Sequence, residues 1–214
     1  MRGRRLITAS YSIDDSVMAA GMRRSAIGKD EDMEAYSSFA EVYDIFQDNV
    51  PYEEWCSYVI GLLREQGVEN GLVLDLGCGS GILSIAALVL GAERASAVDI
   101  DPKAVDVAYE NAALNGIGKD RYTVRAGDVL TDRALAAELA QERYQLVLAN
   151  IVADVIIPLA PQVPGLLAEG GVFLCSGILD SRAHEVEEAL ARSGLRVTRK
   201  RERNGWAALE AVLA

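Results

Sequence analysis

Apolar and polar positions follow two rhythms in this chain, and from residue 71 onward the two alternate regularly. Short apolar segments are each followed by a longer segment whose apolar residues recur every three or four positions. The first rhythm is typical of buried strands, and the second of helices with one apolar face. The pattern predicts strands at Leu72–Leu74, Ala95–Val98, Tyr122–Val124, Tyr144–Ala149 and Gly171–Cys175, and helices at Ile82–Leu90, Pro102–Leu114, Asp132–Gln141, Val152–Leu167 and Ser181–Ser193.

The last part of the sequence breaks this alternation. Two extended segments, Leu195–Lys200 and Trp206–Val212, flank the dipeptide Asn204-Gly205. Asn-Gly between extended segments is a strong signal for an antiparallel hairpin. Five strand–helix units predict a doubly wound parallel sheet with helices on both faces, and the hairpin brings the number of strands to seven. The predicted fold class is therefore α/β, with a seven-stranded Rossmann-like sheet.

The residues before this sheet have a different pattern. Residues 1–33 form a weakly patterned basic leader, which is either disordered or carries one short helix. Residues 34–70 have helical spacing: Tyr36 and Tyr43 belong to one apolar face, and Trp55 belongs to a second helix that begins at Pro51. We expect these residues to form an N-terminal helical cap. Their aromatic side chains either pack in a core or form a lid over the ligand.

Net charge narrows the range of partners. The chain has 214 residues, which is the size of one domain with an extension. Its formal charge is −11. Its first thirty residues carry six basic and three acidic groups, so the rest carries −11 − 3 = −14. Such an acidic body repels nucleic acid phosphates. We therefore expect no direct nucleic acid binding, whereas a basic protein is an acceptable partner.

Cysteine usage and hydropathy concern the compartment. The three cysteines are far apart and show no C-x-x-C spacing, which argues against disulfides and zinc and fits a reducing cytoplasm. The longest apolar run, residues 82–90, is too short to span a bilayer, and no signal-peptide core follows the first arginines. We expect a cytoplasmic protein with no metal site and no membrane association.

A glycine-rich segment follows the first predicted strand. It reads Asp-Leu-Gly-Cys-Gly-Ser-Gly over residues 75–81. Glycines permit positive φ angles and let a ligand approach the backbone, and ligands of open α/β sheets bind at the carboxyl ends of strands. A tight strand-to-helix turn with no ligand is the structural alternative. The candidate ligand-binding residues here are Asp75, Gly77, Cys78, Gly79 and Gly81.

Polar residues also end the next three strands. Asp99, followed by Ile100, lies at the distance downstream where carboxylates read ribose hydroxyls, whereas Asp101 before Pro102 is placed to cap a helix. Asp128 ends the third strand, where a carboxylate can meet an exocyclic adenine amine or serve only as a polar strand end or cap. Asn150 ends the fourth strand, facing the place of a reacting group; asparagine is also common in turns. The candidate ligand-binding residues at these strand ends are Asp99, Ile100, Asp128 and Asn150.

These motifs resemble those of a known class of enzymes. The segment at residues 75–81 resembles the D-x-G-x-G-x-G motif of class I S-adenosylmethionine-dependent methyltransferases, whose sheets also carry seven strands. Together with Asp99-Ile-Asp-Pro, Ala149-Asn-Ile and Ser176-Gly-Ile-Leu, it resembles the PrmA family of ribosomal protein L11 methyltransferases. This likeness covers residues 72–214, while residues 34–67 resemble the leader helices of other methyltransferases. Residues 71–214 are accordingly expected to form an S-adenosylmethionine-binding catalytic domain.

The resemblance implies a methyl transfer to nitrogen on a protein, a lysine or an α-amine. Asn150 is then the candidate for orienting the amine through its side-chain carbonyl. A small-molecule acceptor is an alternative, because the Gly-Thr-Gly-x-His-x-Thr-Thr segment of PrmA-type enzymes is absent from the sequence. Two further alternatives are an NAD-dependent oxidoreductase, disfavoured by the hairpin, and a cofactor-binding module without catalysis. We expect Cys78 to fill space and His184 to lie on a solvated helix face.

Overall fold

The computed structural model describes residues 71–214. The predicted leader, the helical cap, and the aromatic side chains at positions 36, 43 and 55 lie outside the described residues. The strands are β1 Leu72–Leu76, β2 Arg94–Asp99, β3 Tyr122–Ala126, β4 Tyr144–Asn150, β5 Leu167–Leu179, β6 Leu195–Arg203 and β7 Trp206–Leu213. The α-helices are α1 Ile82–Val89, α2 Pro102–Leu114, α3 Arg133–Leu139, α4 Ala153–Leu159, α5 Val163–Leu166 and α6 Ala183–Arg192.

The seven strands form one sheet in the order β3-β2-β1-β4-β5-β7-β6. Strands β1 to β5 are parallel to one another, and β7 is antiparallel to both β5 and β6. The predicted doubly wound sheet with a hairpin is therefore confirmed. The strand order reverses direction at β1, so the switch point where such sheets bind ligands lies between β1 and β4.

Both faces of the sheet are packed against helices. One apolar cluster combines Leu74 and Leu76 of β1 with α4 and α6, and the other combines Val73 with α1 and α2. Alternate residues of β1 point to opposite faces, and both sets are buried because helices cover each side. Because helices cover both faces of the sheet, the central strands β1, β4 and β5 contain continuous apolar segments in the sequence.

The helical segment predicted at residues 152–167 is shorter and broken in the structure. It consists of α4, a 3₁₀ turn at Ala160–Gln162 and the short α5. The prolines at positions 158, 161 and 164 account for the difference, because proline removes a backbone donor and disturbs the preceding turn. Strand β5 is also longer than predicted and has irregular register with both of its neighbours.

The connection between β6 and β7 is the predicted Asn-Gly turn. Asn204 and Gly205 have φ angles of 52° and 83°, as a two-residue hairpin turn with the native strand twist requires. Among the described residues, no helix is long and apolar enough to cross a membrane.

Candidate active site

The glycine turn after β1 is held against the neighbouring strand. The amides of Gly77 and Cys78 both donate to the carbonyl of Val98 in β2, at 2.8 and 3.1 Å. Gly77 has φ of 74°, and a Cβ there would overlap the side chain of Ile151. A Cβ at Gly79 would meet nothing within 4 Å, so the backbone on that side of the turn is open. The turn is thus held in place by β2 on one side, and its backbone at Gly79 is accessible to a ligand.

Asp75 is buried directly under this turn. Its Oδ2 accepts hydrogen bonds from the Ser84 hydroxyl at 2.6 Å and the Ser84 amide at 3.2 Å, while Oδ1 has no hydrogen-bond partner among the described residues. Burial raises the pKa of Asp75 to about 6; the bonds from Ser84 oppose this rise, and the charge of Asp99 adds to it. Asp75 therefore titrates closer to neutral pH than an ordinary carboxyl group.

Two other groups beside the turn are held neutral. Burial raises the pKa of the Cys78 thiol well above its usual range, and does the same for the Tyr122 hydroxyl, which lies beneath Gly81. A thiol of this kind is a poor nucleophile, because the thiolate is the reactive form. The structure therefore agrees with Cys78 as a space-filling residue.

Asp99 ends β2 and contacts the glycine turn. Its Oδ2 accepts from the amide of Gly79 at 2.7 Å, and its Oδ1 accepts from the amide of Asp101 at 2.9 Å. Each oxygen keeps a lone pair for a further donor. The next side chain, Ile100, is 72% exposed and apolar. Asp101 caps α2 through the amide of Lys103, as its position before Pro102 predicts.

Asp128 makes local bonds at the end of β3. Its two carboxylate oxygens accept from the amide of Leu130 and from the hydroxyl of Thr131, at 2.9 and 2.8 Å. The cap of α3 is Asp132, not Asp128. The structure thus contains the polar strand-end turn that was the alternative interpretation, and a contact between Asp128 and an adenine amine stays a prediction.

Asn150 is exposed at the end of β4 and contacts the end of β5. The hydroxyl of Ser176 donates to its Oδ1 at 3.0 Å, and the amide of the following Ile151 donates to the carbonyl of Ser176 at the same distance. Leu76 pairs with both Val98 and Ala149, so the residues after these three positions share one edge of the sheet. The predicted Gly77, Asp99 and Asn150 are therefore brought to one place.

Other titratable groups lie apart from this edge. His184 is on an exposed face of α6 with its Nδ1 3.5 Å from Glu188, as predicted for a solvated helix. Within residues 71–214, no group of three or more histidine, cysteine or acidic side chains is arranged to hold a metal ion.

The comparison with family models decides the relationship. Residues 56–213, well over half of the chain, match the model of the ribosomal protein L11 methyltransferase (PrmA) family. The chain belongs to the PrmA family. The resemblance found in the sequence motifs is thereby confirmed.

Curated members of the PrmA family align with about two thirds of this chain but with less than half of their own length. The ribosomal protein L11 methyltransferase of Desulfitobacterium hafniense is 46% identical over 155 residues, which cover 72% of this chain and 47% of that protein. The enzyme of the same name from Agathobacter rectalis is 42% identical over 142 residues, covering 66% and 44%. The chain thus spans about half the length of the curated relatives it matches.

Solved structures agree with the fold. A ribosomal protein L11 methylase from Lactobacillus delbrueckii subsp. bulgaricus superposes with a TM-score of 0.66 at 32% identity, over 74% of this chain and 79% of that one. The glycopeptide N-methyltransferase MtfA, crystallised with S-adenosylmethionine, gives a TM-score of 0.56 at 19% identity, over 74% and 94%. The second likeness shows the Rossmann-like methyltransferase fold alone.

Three residues near the edge were given no role by sequence reasoning. Ser84 binds Asp75, the Asn111 side-chain amide donates to the Ser80 carbonyl at 2.9 Å, and Ser176 binds Asn150. A signal for the first was present, because Ser84 interrupts the apolar run of α1 and a buried hydroxyl needs a partner. Nothing in the local pattern around Asn111 indicates its contact, which spans 31 positions in sequence.

Proposed function

We propose that this chain is an S-adenosylmethionine-dependent methyltransferase that methylates an amine nitrogen of a protein. The observation that carries the proposal is the bond from the Gly79 amide to Asp99, with Asn150 at the end of the strand on the other side of β1. This arrangement brings three groups to one switch point of the sheet: an open glycine turn, a carboxylate whose oxygens keep free lone pairs, and an exposed side-chain amide. Membership of the PrmA family supports methyl transfer as the use of that site.

The residues at the edge fit S-adenosylmethionine. Asp99 offers a lone pair on each oxygen to the two ribose hydroxyls, and the exposed Ile100 offers an apolar surface to the flat adenine ring. The open backbone at Gly79 accepts close approach of the methionine portion. Asp75, with one oxygen lacking a partner under the turn, supplies negative charge near the ammonium group. Asp128 is assigned to the adenine amine on position alone.

The chemistry asked of the chain is modest. When bound, S-adenosylmethionine supplies a methyl group on a sulfonium, whose leaving group departs uncharged and needs no acid. The chain must then hold the acceptor nitrogen in line with that methyl group, and orientation of this kind lowers barriers by up to roughly 7–11 kcal/mol. Asn150 orients the nitrogen because its Oδ1 accepts a hydrogen bond from one of the N–H groups of the amine. A lysine acceptor must first release its ammonium proton to solvent, and desolvation in the site favours this step because it lowers the pKa of the amine.

A transfer assay with a matched variant tests this function. Purified chain is incubated with radiolabelled S-adenosylmethionine and ribosomal protein L11, the substrate named for the relatives. We expect labelling of the protein by wild type, and transfer by Asn150→Ala that is lower by about 10²-fold, because the amine loses its orientation. The affinity for S-adenosylhomocysteine, measured by calorimetry, should change less than about two-fold, since one exposed amide contributes little to cofactor binding.

The outcomes separate the proposal from its alternatives. Failure of wild type to bind S-adenosylhomocysteine at millimolar concentration would overturn the cofactor assignment. Equal transfer by wild type and Asn150→Ala would leave the cofactor in place and remove the role of Asn150. Labelling that appears in a metabolite extract but in no protein would favour a small-molecule acceptor.

A protein acceptor also bears on the compartment. The relatives are named for a ribosomal protein of bacteria, and translation takes place in the cytoplasm. We place this chain there as part of the same proposal. Fractionation of cells followed by immunodetection of the chain tests it, and recovery in the membrane or extracellular fraction would contradict it.

A further inference from the structure

The corner where β4 and β5 end contains a serine whose hydroxyl is directed at Asn150. Ser176 is buried, with 5% of its surface exposed, and its Oγ donates to Asn150 Oδ1 at 3.0 Å. Asn150 itself is exposed. Buried hydroxyl groups require hydrogen-bond partners, and this one has its partner in a solvent-facing amide rather than in the backbone of its own strand.

The residue after the serine brings the two strand ends together. Gly177 has φ of 77°, and a Cβ at this position would lie 3.0 Å from Asn150 Oδ1 and 3.2 Å from both the amide nitrogen and the carbonyl oxygen of Ile151. A side chain here would press on the Asn150 amide and cover the Ile151 carbonyl. The absence of a side chain at this position therefore leaves room for the Asn150 side chain and for a group that approaches it.

This arrangement restrains a side chain that would otherwise rotate. The terminal torsion of asparagine is broad, and a flipped amide presents a donor where the amine needs an acceptor. A carbonyl oxygen has two lone pairs, so the bond from Ser176 uses one and leaves the other for an incoming N–H. The amide of Ile151, bonded to the Ser176 carbonyl at 3.0 Å, holds the backbone beside it in the same register.

We propose that Ser176 is a positioning residue for methyl transfer: its hydroxyl holds the Asn150 side-chain carbonyl toward the acceptor amine, and Gly177 keeps that carbonyl uncovered. This inference rests on the role proposed for Asn150. It gives a physical reason for the Ser-Gly pair at residues 176–177, to which neither the cofactor site nor the sheet assigns a function.

Three substitutions at one position separate the hydroxyl from the volume. Ser176→Ala and Ser176→Cys remove the strong donor, the second with nearly the same size, whereas Ser176→Thr keeps the hydroxyl. With radiolabelled S-adenosylmethionine and ribosomal protein L11, we expect kcat to fall about five- to ten-fold in the first two variants and to recover in Ser176→Thr. The affinity for S-adenosylhomocysteine should stay within about two-fold of wild type in all three, because the hydroxyl faces Asn150 and not the glycine turn.

A buried truncation on the same strand serves as the control. Ile178→Val loses a methyl group two residues away, inside the core, and touches Asn150 in no contact that the structure describes. We expect it to lower the unfolding midpoint without lowering kcat. An equal fall of kcat in Ser176→Ala and Ile178→Val would show that the serine acts only through stability and would overturn the proposal.

A spectroscopic readout keeps the inference separate from the proposed function. The side-chain NH₂ resonances of Asn150, recorded by ¹⁵N NMR in the presence of S-adenosylhomocysteine, should move in Ser176→Ala and remain in place in Ile178→Val. If wild type methylates no acceptor but these resonances move, the proposed function fails while the contact stands. If they do not move in Ser176→Ala, the positioning role is wrong, whatever the activity.

Discussion

At the scale of single residues, the ionisation of Asp75 connects the candidate site to stability. Burial raises its pKa from 3.8 to about 6, so between these values the folded chain holds a proton that the unfolded chain has released. The contribution of this carboxyl to the unfolding free energy is therefore largest at low pH and falls as the pH rises to 6. The shift corresponds to a loss of ~3 kcal/mol, which is complete above that pH.

The variant Asp75→Asn tests this dependence, because it keeps an acceptor for Ser84 but cannot titrate. We expect the unfolding free energy of wild type minus that of the variant, measured in urea, to fall by ~2–3 kcal/mol between pH 4 and pH 8, because a small part of the loss has already occurred at pH 4. Taking the difference removes the groups that titrate in both chains. A difference that stays constant over this range would mean that Asp75 has an ordinary pKa in the folded chain.

The sequence separated some residues correctly and was silent about others. It distinguished Asp99 from Asp101 because proline after the second carboxylate marks a helix start. It placed Gly77, Asp99 and Asn150 together because parallel strands end at one edge. It gave no role to Ser176, because the contact with Asn150 crosses 26 positions and depends on the register of two strands. For Asp128 the sequence allowed either a ligand contact or a polar strand end, and only the structure shows its bonds to Leu130 and Thr131.

At the scale of elements, the link between β2 and α2 carries two carboxylates with different tasks. Asp99 faces the glycine turn, and Asp101 caps the helix. We expect Asp99→Ala to weaken binding of S-adenosylhomocysteine by about 10- to 100-fold, since two charge-assisted hydrogen bonds are lost. Calorimetry measures the affinity.

Asp101→Ala is the matched control for that experiment. It removes a carboxylate two residues away from the same connection, and the loss of an N-cap should lower the unfolding free energy by ~1 kcal/mol. The affinity for S-adenosylhomocysteine should be nearly unchanged. If both variants lose affinity to the same degree, the effect belongs to the connection as a whole and not to a ribose contact of Asp99.

Element boundaries were predictable where the local signals were strong. The bounds of α2 agree with the sequence pattern, because Asp101-Pro102 defines its start and a three- to four-residue apolar spacing runs to Leu114. The segment after β4 also has helical spacing, but its prolines break it into α4, a 3₁₀ turn and α5. Apolar periodicity reports which face is buried and does not report whether each backbone donor is present.

At the scale of the whole molecule, net charge should affect the encounter with a basic acceptor. The chain carries −11, and exposed charges attract an oppositely charged partner over distances that salt shortens. Raising NaCl from about 0.05 to 0.3 M should lower kcat/KM for a basic protein acceptor by about ten-fold. The affinity for S-adenosylhomocysteine, which has no net charge, serves as the internal control and should stay nearly constant.

The opposite result would be informative as well. If kcat/KM is insensitive to salt, long-range attraction does not bring the acceptor to this chain, and short-range contacts near Asn150 must select it.

Most of the overall architecture could be predicted from the sequence. Alternation of strands and helices predicted the doubly wound sheet, and one Asn-Gly dipeptide predicted the hairpin. What these signals do not contain is the order of strands, which depends on packing between distant segments.

That order has a consequence for synthesis. Strand β7 is inserted between β5 and β6, although it follows both along the chain. During synthesis β6 therefore leaves the ribosome before β7, the strand with which it pairs. Until β7 has been made, β6 has no partner strand in the sheet. Its run of Arg199, Lys200, Arg201 and Arg203 suits such a delay, because crowded positive charge discourages pairing with nascent neighbours. In the finished sheet the same basic residues lie on an edge strand, where charged side chains disfavour pairing with another chain.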